Sequence, residues 1–520
     1  MPPCRKRPAS DASGHVEPGA RKARATGRGL DSNGPHGKAT VFKYLTKAWA
    51  KLTTSERDAV FARFASSSYN SIGSMCSGSG MAELVHHVLA SAVGSSTVLK
   101  FSCEQVPFKQ EVLKTVHAAV GCGDACIYQD FASMHTGVGK CAAHNTEACE
   151  VDAASVFMIV VGYSCKNLSR LNPTPGSRSE VLERRVGTSG NTAQHLVDYL
   201  RVMQPPVAIL ENVDEMAKSE EDSKNVRYLN ETLRSLGYVI MTKLLWANHY
   251  YLPQKRKRAW SIVLRLESFQ LLPGTATTLL ASMFEVVERL SVPAMPLPSV
   301  LLSNKDPRVT AEEARMKEAA RGEVSRDYIA KHQAFAASKG LSWSTMRPPP
   351  AMAKSPWFQA IPQREREIIL CRYLLEPDAL SVDCSQAIAR APVAHGDSFN
   401  TIVPGCRQYL LRNIMVGQHQ RAAASQRFLL GFEGMRLQGY PLELVRDLEG
   451  VSDPQMMDLA GNAFPGTCLM AMFLGVFACI PDVFVSADGG SDVSVDSLVE
   501  LMQDSGSPSG LDAGLASDQP

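Results

Sequence analysis

The sequence lacks a charge excess of either sign, because 54 Lys and Arg side chains face 52 Asp and Glu, for a net charge of +2. Any nucleic-acid-binding surface must therefore be local, since the chain as a whole is not a polycation. It also lacks an apolar run long enough to cross a bilayer: the longest, Cys468 to Ile480, has the length of a buried core helix. No signal-peptide pattern precedes the body of the chain, so we expect an intracellular protein without membrane contact.

The cysteines show no pairing pattern. The 13 cysteines are scattered without regular spacing, and an odd number argues against a complete disulfide framework. We therefore expect a reducing compartment. His135, Cys141, His144 and Cys149 lie close along the chain, but their intervals of six, three and five residues contain no Cys-x-x-Cys pair. We predict a loop there and no metal site.

Composition divides the 520 residues into a body and two tails. Residues 1–38 carry eight basic and three acidic side chains, and residues 486–520 carry seven acids and no Lys or Arg. Both are rich in Gly and Ser and cannot offset the entropy of ordering by burial, so we predict disordered tails over 1–40 and 486–520. The basic clusters Arg5–Arg7 and Arg21–Arg24 are either nuclear-import or phosphate-binding patches or simply a solvated tail.

Short apolar, β-rich runs alternate with amphipathic stretches between about residues 71 and 266. Asn191 to Met203 has the apolar spacing of one helix face, and the strand candidates are Val98–Phe101, Phe157–Val161, Val207–Leu210 and Ser261–Leu264. This alternation predicts an α/β fold with a mostly parallel sheet. Ligands of such sheets bind at the carboxyl ends of the strands, so residues that follow a strand are the candidates for function.

The rest of the body interrupts and then completes this pattern. Residues 270–420 are charged and proline-rich, without regular alternation, which indicates a smaller inserted domain. Core-like composition returns in the segments 437–441 and 461–480. We predict a helical lead-in over 41–70, a main domain in two parts (71–269 and 421–485) and an insert over 270–420.

A glycine-rich loop follows the first strand candidate. Gly78 and Gly80 precede an amphipathic helical stretch, and Glu104 lies at the end of the next strand. Glycines at a helix N-terminus allow a cofactor to approach the backbone, and a carboxylate at that distance suits a ribose. The third glycine of the dinucleotide fingerprint is replaced by Glu83, so an NAD site is not indicated. A purely structural glycine turn explains the loop equally well.

Two further strand ends carry reactive side chains. Cys165 follows the most apolar strand, where a cysteine is either an exposed nucleophile or an inert small core residue. Glu211 ends the strand Val207–Leu210 and is either a proton-transfer group with a raised pKa or a helix cap. The run Pro253-Gln254-Lys255-Arg256-Lys257-Arg258 places four cations before the last strand candidate. These cations either bind phosphates or are simply a solvated charge run.

In this order the motifs resemble those of the DNA (cytosine-5) methyltransferases. The resemblance comprises the glycine loop, the Ser164-Cys165 loop in place of Pro-Cys, Glu211-Asn212-Val213, Gln-x-Arg-x-Arg at 254–258, and Gly-Asn-x-x-Pro at 461–465. It covers about 71–265 and 425–480. It implies a Rossmann-like S-adenosylmethionine-dependent methyltransferase sheet, with the insert as a target-recognition domain.

The resemblance also implies a mechanism. Cys165 would add to cytosine C6 and make C5 nucleophilic, while Glu211 would contact N3 and the exocyclic amine. Arg258 would lie near the base O2, and Arg256 would support the loop and the phosphates. The implied partner is double-stranded DNA, and because a stacked base cannot react, the target cytosine would be flipped out. With DNA as the partner, the expected compartment is the nucleus.

The implied cofactor is S-adenosylmethionine. By the resemblance, Gly78 and Gly80 would contact its methionine side, Glu104 its ribose hydroxyls, and Asp130 its adenine amine. Phe131 would be a stacking neighbour of the adenine, and Asn462 would pack where the terminal helix returns to the site.

Three positions depart from the family pattern. Ser164 replaces a proline, Lys166 a glutamine, and Cys76 an aromatic residue. Losing the proline would loosen the nucleophile loop, whereas Lys166 would lower the thiol pKa or contact a phosphate. Two alternatives therefore stay open, an RNA (tRNA) cytosine-5 methyltransferase and a non-catalytic DNA-binding relative, although the Cys-Phe-Thr tripeptide of the tRNA-modifying branch is missing.

Overall fold

The computed structural model describes residues 39–482 apart from 67, 77, 152–155, 170–178, 320–327, 417–421, 442–447 and 449. The predictions of disordered tails and of basic import clusters concern residues outside this range, except for the last two positions of the first tail. Among the described residues, the main body is a nine-stranded sheet covered by helices on both faces.

The nine-stranded sheet has the order β5-β4-β3-β2-β1-β6-β7-β10-β8. Strands β3, β2, β1, β6 and β7 are parallel, β10 runs antiparallel to both its neighbours, and β4 and β5 form an antiparallel edge hairpin. The bounds of its nine strands are β1 Ser71–Met75, β2 Val98–Cys103, β3 Cys126–Tyr128, β4 Val138–Cys141, β5 Thr146–Glu150, β6 Met158–Val161, β7 Val207–Asn212, β8 Tyr238–Trp246 and β10 Lys257–Arg265. The short strand β9 Gln254–Lys255 lies outside this sheet. The predicted α/β fold with a mostly parallel sheet is confirmed.

Both faces of the central strands are buried, which explains their uninterrupted apolar sequences. In β6, Met158 and Val160 face one helical layer, whereas Ile159 and Val161 face the other. The first layer contains α1 Thr40–Trp49, α2 Thr54–Ala65, α3 Met81–Ala92, α4 Pro107–Ala119, α7 Pro273–Arg289 and, at the end of the chain, Gly466–Cys479. The second contains α5 Gly187–Met203 and α6 Lys224–Ser235.

The region between α7 and residue 430 contains helices and small sheets. Its helices are α8 Pro307–Ala319, α9 Ile329–Ser338, α10 Pro350–Ala353, α11 Pro356–Ala360 and α12 Gln363–Leu375, and its strands are β11 Ala379–Asp383, β12 Val393–His395, β13 Phe399–Asn400, β14 Gln408–Leu410, β15 Ile414–Val416 and β16 Ala422–Ala424. β13 pairs in parallel with β9, which joins this region to the main body.

Three helices close the described chain: α13 Gly431–Leu437, α14 Asp453–Asn462 and α15 Gly466–Cys479. α15 is apolar all round and almost entirely buried, as expected of a helix inside a large core. A Cβ at Gly475 would lie 2.6 Å from Val287 Cγ2, so α15 packs closely on α7. The helix that follows residue 270 therefore belongs with the main core, whereas the sequence analysis assigned it to the insert; the other domain bounds stay predictions.

The segment Asp453–Cys479 is long and apolar enough to span a membrane by composition alone, but 83% of its most apolar window is buried inside the protein. A core helix has the same properties, so this segment is weak support for a membrane contact.

The prediction of a loop at His135, Cys141, His144 and Cys149, between β3 and β6, is wrong. The chain there forms the hairpin β4–β5, which extends the sheet beyond β3. Gln129 N donates to Lys140 O at 3.0 Å, and Ala142 N donates to Ile127 O at 2.8 Å. The short strands and the turn between them carry no apolar run, which is why the sequence pattern missed them.

Candidate active site

The Cys165 loop follows β6 and is held by the N-terminal turns of α5. Ser164 N donates to Thr192 Oγ1 at 3.1 Å. Asn167 N donates to Ser189 Oγ at 2.9 Å, and Ser189 N donates to Asn167 Oδ1 at 3.2 Å. The loop is therefore fixed by polar contacts to a helix. These three hydrogen bonds restrain the loop, in which Ser164 stands where the resemblance expects a proline.

Charges around Cys165 act in opposite directions on its thiol. Burial and the Glu211 carboxylate raise the pKa of Cys165, whereas the guanidinium groups of Arg258 and Arg256 lower it. The balance is a raised pKa, so the thiol is protonated in the free protein at neutral pH. Lys166, which the sequence analysis considered for lowering this pKa, is exposed to solvent.

Glu211 and Arg258 lie at the same edge of the sheet as Cys165. Glu211 is on β7, and Arg258 enters from the antiparallel strand β10. Arg258 Nε lies 3.0 Å from Glu211 Oε1, and both side chains are largely buried. A Cβ at Gly162 would lie 3.9 Å from Glu211 Oε2, so the chain leading to Cys165 passes directly beside the carboxylate.

Arg256, predicted to support the loop and the phosphates, makes its contacts with backbone carbonyl groups. Its guanidinium is buried and donates to the carbonyl oxygens of Ile402 (2.7 Å), Gly461 (3.2 Å) and Ala463 (3.0 Å). Burial and the neighbouring Arg258 lower the pKa of Arg256 to about 9, which leaves it charged at neutral pH. Because these contacts bury the guanidinium, its observed role is support of the backbone, and a phosphate contact stays a prediction. Arg256 is a positioning residue that joins the insert to the turn after α14.

The glycine loop and Glu104 meet at the adjoining strand ends. Glu104 Oε2 accepts from Gly78 N at 3.0 Å, and Oε1 accepts from Val106 N at 2.9 Å. Gly78 has φ +49°, and Gly80 has φ +70°, a region that favours glycine. A Cβ at Gly80 would also lie 2.9 Å from Val116 Cγ1 on α4. The sequence prediction that Gly78, Gly80 and Glu104 act together is consistent with this geometry.

Asp130 and Phe131 follow β3 at the same edge. Asp130 is exposed, and its Oδ1 accepts from Ala132 N at 2.9 Å, capping a short helical turn. The Phe131 ring is buried, and its centroid lies 6.1 Å from that of His195. One Asp130 oxygen remains available to a ligand beyond the cap.

Asn462 is the last residue of α14. Its Nδ2 donates to Asp458 O at 2.9 Å, and the side chain is exposed. Asp458 Oδ2 in turn lies 2.8 Å from Lys109 Nζ, which is almost buried beside the glycine loop. The sequence analysis missed Lys109, because a lysine in the first turn of an amphipathic helix carries no signal of its own.

A buried polar network occupies the position where a dinucleotide site would have its third glycine. Glu83 is buried on α3 and accepts hydrogen bonds from Ser74 and Ser102. Ser102 Oγ lies 2.8 Å from His117 Nε2. The carboxylate therefore fixes α3 on β1 and β2, so Glu83 is a packing residue beneath the loop.

A protein-family model matches a large part of the chain. Residues 146–475 match the model described as C-5 cytosine-specific DNA methylase, which covers more than half of the 520 residues. The chain belongs to this family. The matched stretch contains Cys165, Glu211, Arg258 and Asn462, whereas the glycine loop and Glu104 precede it.

Relatives of this chain align with it over short segments. The chain is 27% identical over 196 residues to the DNA (cytosine-5-)-methyltransferase DMT5 of Cryptococcus neoformans var. grubii, covering 36% of this chain and 7% of that protein. It is 27% identical over 105 residues to the type II methyltransferase M.MspI of a Moraxella species, covering 20% of this chain and 23% of that protein. The chain thus matches less than a quarter of the length of either relative.

A solved structure, the Dnmt2 methyltransferase of S. pombe, is also similar, with 12% identity and a TM-score of 0.41 over 78% of this chain and 96% of the other. A TM-score this low supports no inference about this chain.

Proposed function

We propose that this C-5 cytosine methylase transfers a methyl group from S-adenosylmethionine to C5 of cytosine in double-stranded DNA, with Cys165 as the nucleophile. One observation carries the proposal: Cys165 follows β6, Glu211 lies near the end of the adjacent strand β7, and Arg258 on the next strand, β10, is ion-paired to Glu211. A thiol, a carboxylate and a guanidinium together are the groups needed to activate a pyrimidine ring.

The chemistry of the base begins when the Cys165 thiol gives its proton to water and the thiolate adds to C6. The new C–S bond moves the electron pair of the C5–C6 double bond toward C5 and N3, while a protonated Glu211 carboxyl gives its proton to N3 and accepts a hydrogen bond from the exocyclic amine. Arg258 keeps Glu211 oriented. Once C5 carries the methyl group, water removes the C5 proton, N3 returns its proton to Glu211, and the electrons of the broken C–H bond restore the ring double bond and expel the Cys165 thiolate.

The glycine loop, Glu104 and Asp130 fit S-adenosylmethionine. Each Glu104 oxygen accepts one backbone N–H and keeps a second lone pair for a ribose hydroxyl. The backbone at Gly78 and Gly80 carries no side chain that would exclude a ligand, and Asp130 can accept from the adenine amine beside Phe131. When bound, S-adenosylmethionine supplies an electrophilic methyl group on its sulfonium.

DNA would lie across the cleft between the main body and the region after α7. A flipped cytosine reaches Cys165 at a cost of a few kcal/mol for unstacking. Lys166 beside the nucleophile and Lys255 before β10 are exposed cations that suit phosphates. The nuclear location is part of this proposal, and it is supported by the basic clusters before residue 25.

The test is methyl transfer from labelled S-adenosylmethionine to unmethylated DNA, hemimethylated DNA and tRNA. We expect label on cytosine in DNA, none with Cys165→Ala, and full transfer with Cys122→Ala, a half-buried cysteine outside the site. Label on tRNA alone would contradict the DNA substrate. Absence of label from a folded protein that binds S-adenosylmethionine would contradict catalysis altogether.

A further inference from the structure

Four metal-ligating side chains meet at the edge of the sheet, away from Cys165. Cys126 begins β3, Cys141 ends β4, His144 lies in the hairpin turn, and Cys149 lies on β5. One ligand atom from each lies within 4.8 Å of the others. The fold brings Cys126 into the group, whereas His135, which the sequence analysis grouped with the other three, is not a member.

The distances match the edges of a tetrahedral zinc site. With Zn–S near 2.3 Å and Zn–N near 2.0–2.1 Å, tetrahedral geometry requires S···S of about 3.8 Å and S···N of about 3.5 Å. Cys126 Sγ lies 3.7 Å from Cys149 Sγ and 3.5 Å from His144 Nδ1. Cys141 Sγ and Cys149 Sγ lie 3.5 and 3.2 Å from the same nitrogen.

The donor set also has the chemistry of a closed structural site. Three thiols and one imidazole satisfy all four zinc positions, which leaves none open for substrate or water. A Cys126–Cys149 disulfide would require a sulfur separation near 2.05 Å and would leave Cys141 and His144 without a role. The 3.7 Å separation corresponds to two ligands of one metal.

We propose that Cys126, Cys141, His144 and Cys149 bind a structural Zn²⁺ ion. Binding displaces the three thiol protons and gives a Cys₃His site. The ion joins the hairpin β4–β5 to β3, where short strands contribute few hydrogen bonds. It thereby stiffens the strand that continues into Asp130. The metal assignment does not depend on the proposed methyltransferase activity.

The direct test is the zinc content of the purified full chain, measured by mass spectrometry of the metal and by colorimetric release. We expect about one zinc per chain, and a large loss in Cys141→Ser and His144→Ala. The matched controls Cys122→Ser and His135→Ala should keep the metal. Less than a tenth of an ion per chain, or equal content in all four variants, would overturn the proposal.

Two measurements on the unmutated chain keep the proposal testable if a ligand variant fails to fold. Exchange of the metal for Co²⁺ should give the visible d–d bands of tetrahedral cobalt and a thiolate charge-transfer band. A thiol count in denaturant and chelator should give all 13 cysteines in reduced form. A count of 11, as a disulfide within the cluster would give, or an octahedral cobalt spectrum would overturn the zinc site. Because these readouts need neither DNA nor S-adenosylmethionine, their failure is distinct from failure of the proposed activity.

Discussion

Arg256 and Arg258 are two residues apart on the chain, yet the structure predicts opposite consequences for the same substitution. The Arg256 guanidinium is buried and donates to three carbonyl oxygens on distant segments. Arg258 is also largely buried, but among the described residues it donates to only one carbonyl oxygen, that of the adjacent Lys257, at 2.9 Å, and it pairs with Glu211. Replacing each arginine with lysine keeps the positive charge but removes the planar guanidinium and its several N–H donors.

The expected magnitude for Arg256→Lys follows from its three hydrogen bonds. An ammonium group on this stem can reach one of the three carbonyls, so two lose their donor. A hydrogen bond from a charged donor contributes about 1.5–3 kcal/mol. Two lost bonds therefore lower the free energy of unfolding by roughly 3 kcal/mol or more. For Arg258→Lys we expect a smaller loss of about 1 kcal/mol, because the lysine ammonium keeps the charge opposite Glu211 and only the hydrogen bond to Lys257 O is removed.

Urea and thermal unfolding of the full chain would measure this difference, together with methyl transfer. We expect Arg256→Lys to lower Tm by several degrees, and Arg258→Lys to leave Tm nearly unchanged while lowering kcat at least tenfold. Equal unfolding midpoints for the two variants, or a larger loss in Arg258→Lys, would refute the assignment of Arg256 as a positioning residue.

Three further outcomes follow from the site. Glu104→Gln offers one acceptor oxygen for two backbone N–H groups, so the dissociation constant of S-adenosylmethionine, measured by calorimetry, should rise about tenfold. The control Glu111→Gln, at an exposed position, should leave it unchanged, and equal affinities of the two variants would contradict the assignment of Glu104 to the cofactor site. Burial and, after it, the Glu211 carboxylate raise the pKa of Cys165, so kcat/KM should rise with pH through neutrality. Glu211→Gln removes the second of these causes and should shift the pH profile of Cys165 alkylation, followed by mass spectrometry, to lower pH; an unchanged or higher profile would contradict the electrostatic account. Thr192→Val removes the acceptor of the hydrogen bond from Ser164 N, a bond that contributes about 1 kcal/mol to holding the nucleophile loop. It should lower kcat severalfold with little change in Tm, and full activity would show that the loop needs no such support.

The positions of Cys165 and Glu211 could be predicted from sequence for a simple physical reason. Cys165 follows β6 and Glu211 lies near the end of β7, and both strands have buried faces, so each apolar run and its end are easily located. Since parallel strands place their carboxyl ends at one edge, residues at the ends of such runs are candidates for one site. The roles of the two side chains came from the resemblance, because the runs alone left each of them open to a structural explanation.

Other features depended on contacts between distant parts of the chain. Arg256 bonds to carbonyls 146 and 205 positions away, so its burial could not be read from the local cation run. The Cys126 thiol joins its partners through a hairpin of weakly apolar strands, and the ordinary zinc spacings do not include that interval. The polar support of the Ser164 loop likewise comes from α5, which lies more than twenty residues later.

The central claim, covalent attack by Cys165 on cytosine, can be tested directly with duplex DNA that contains 5-fluorocytosine. Fluorine cannot leave C5 as a proton does, so the adduct formed after methyl transfer persists and can be weighed by intact-protein mass spectrometry. The account predicts a DNA adduct that forms only with S-adenosylmethionine, maps to the peptide containing Cys165, and is absent in Cys165→Ala but retained in Cys122→Ala. An adduct on another residue, or none from a folded protein that binds both ligands, would contradict it.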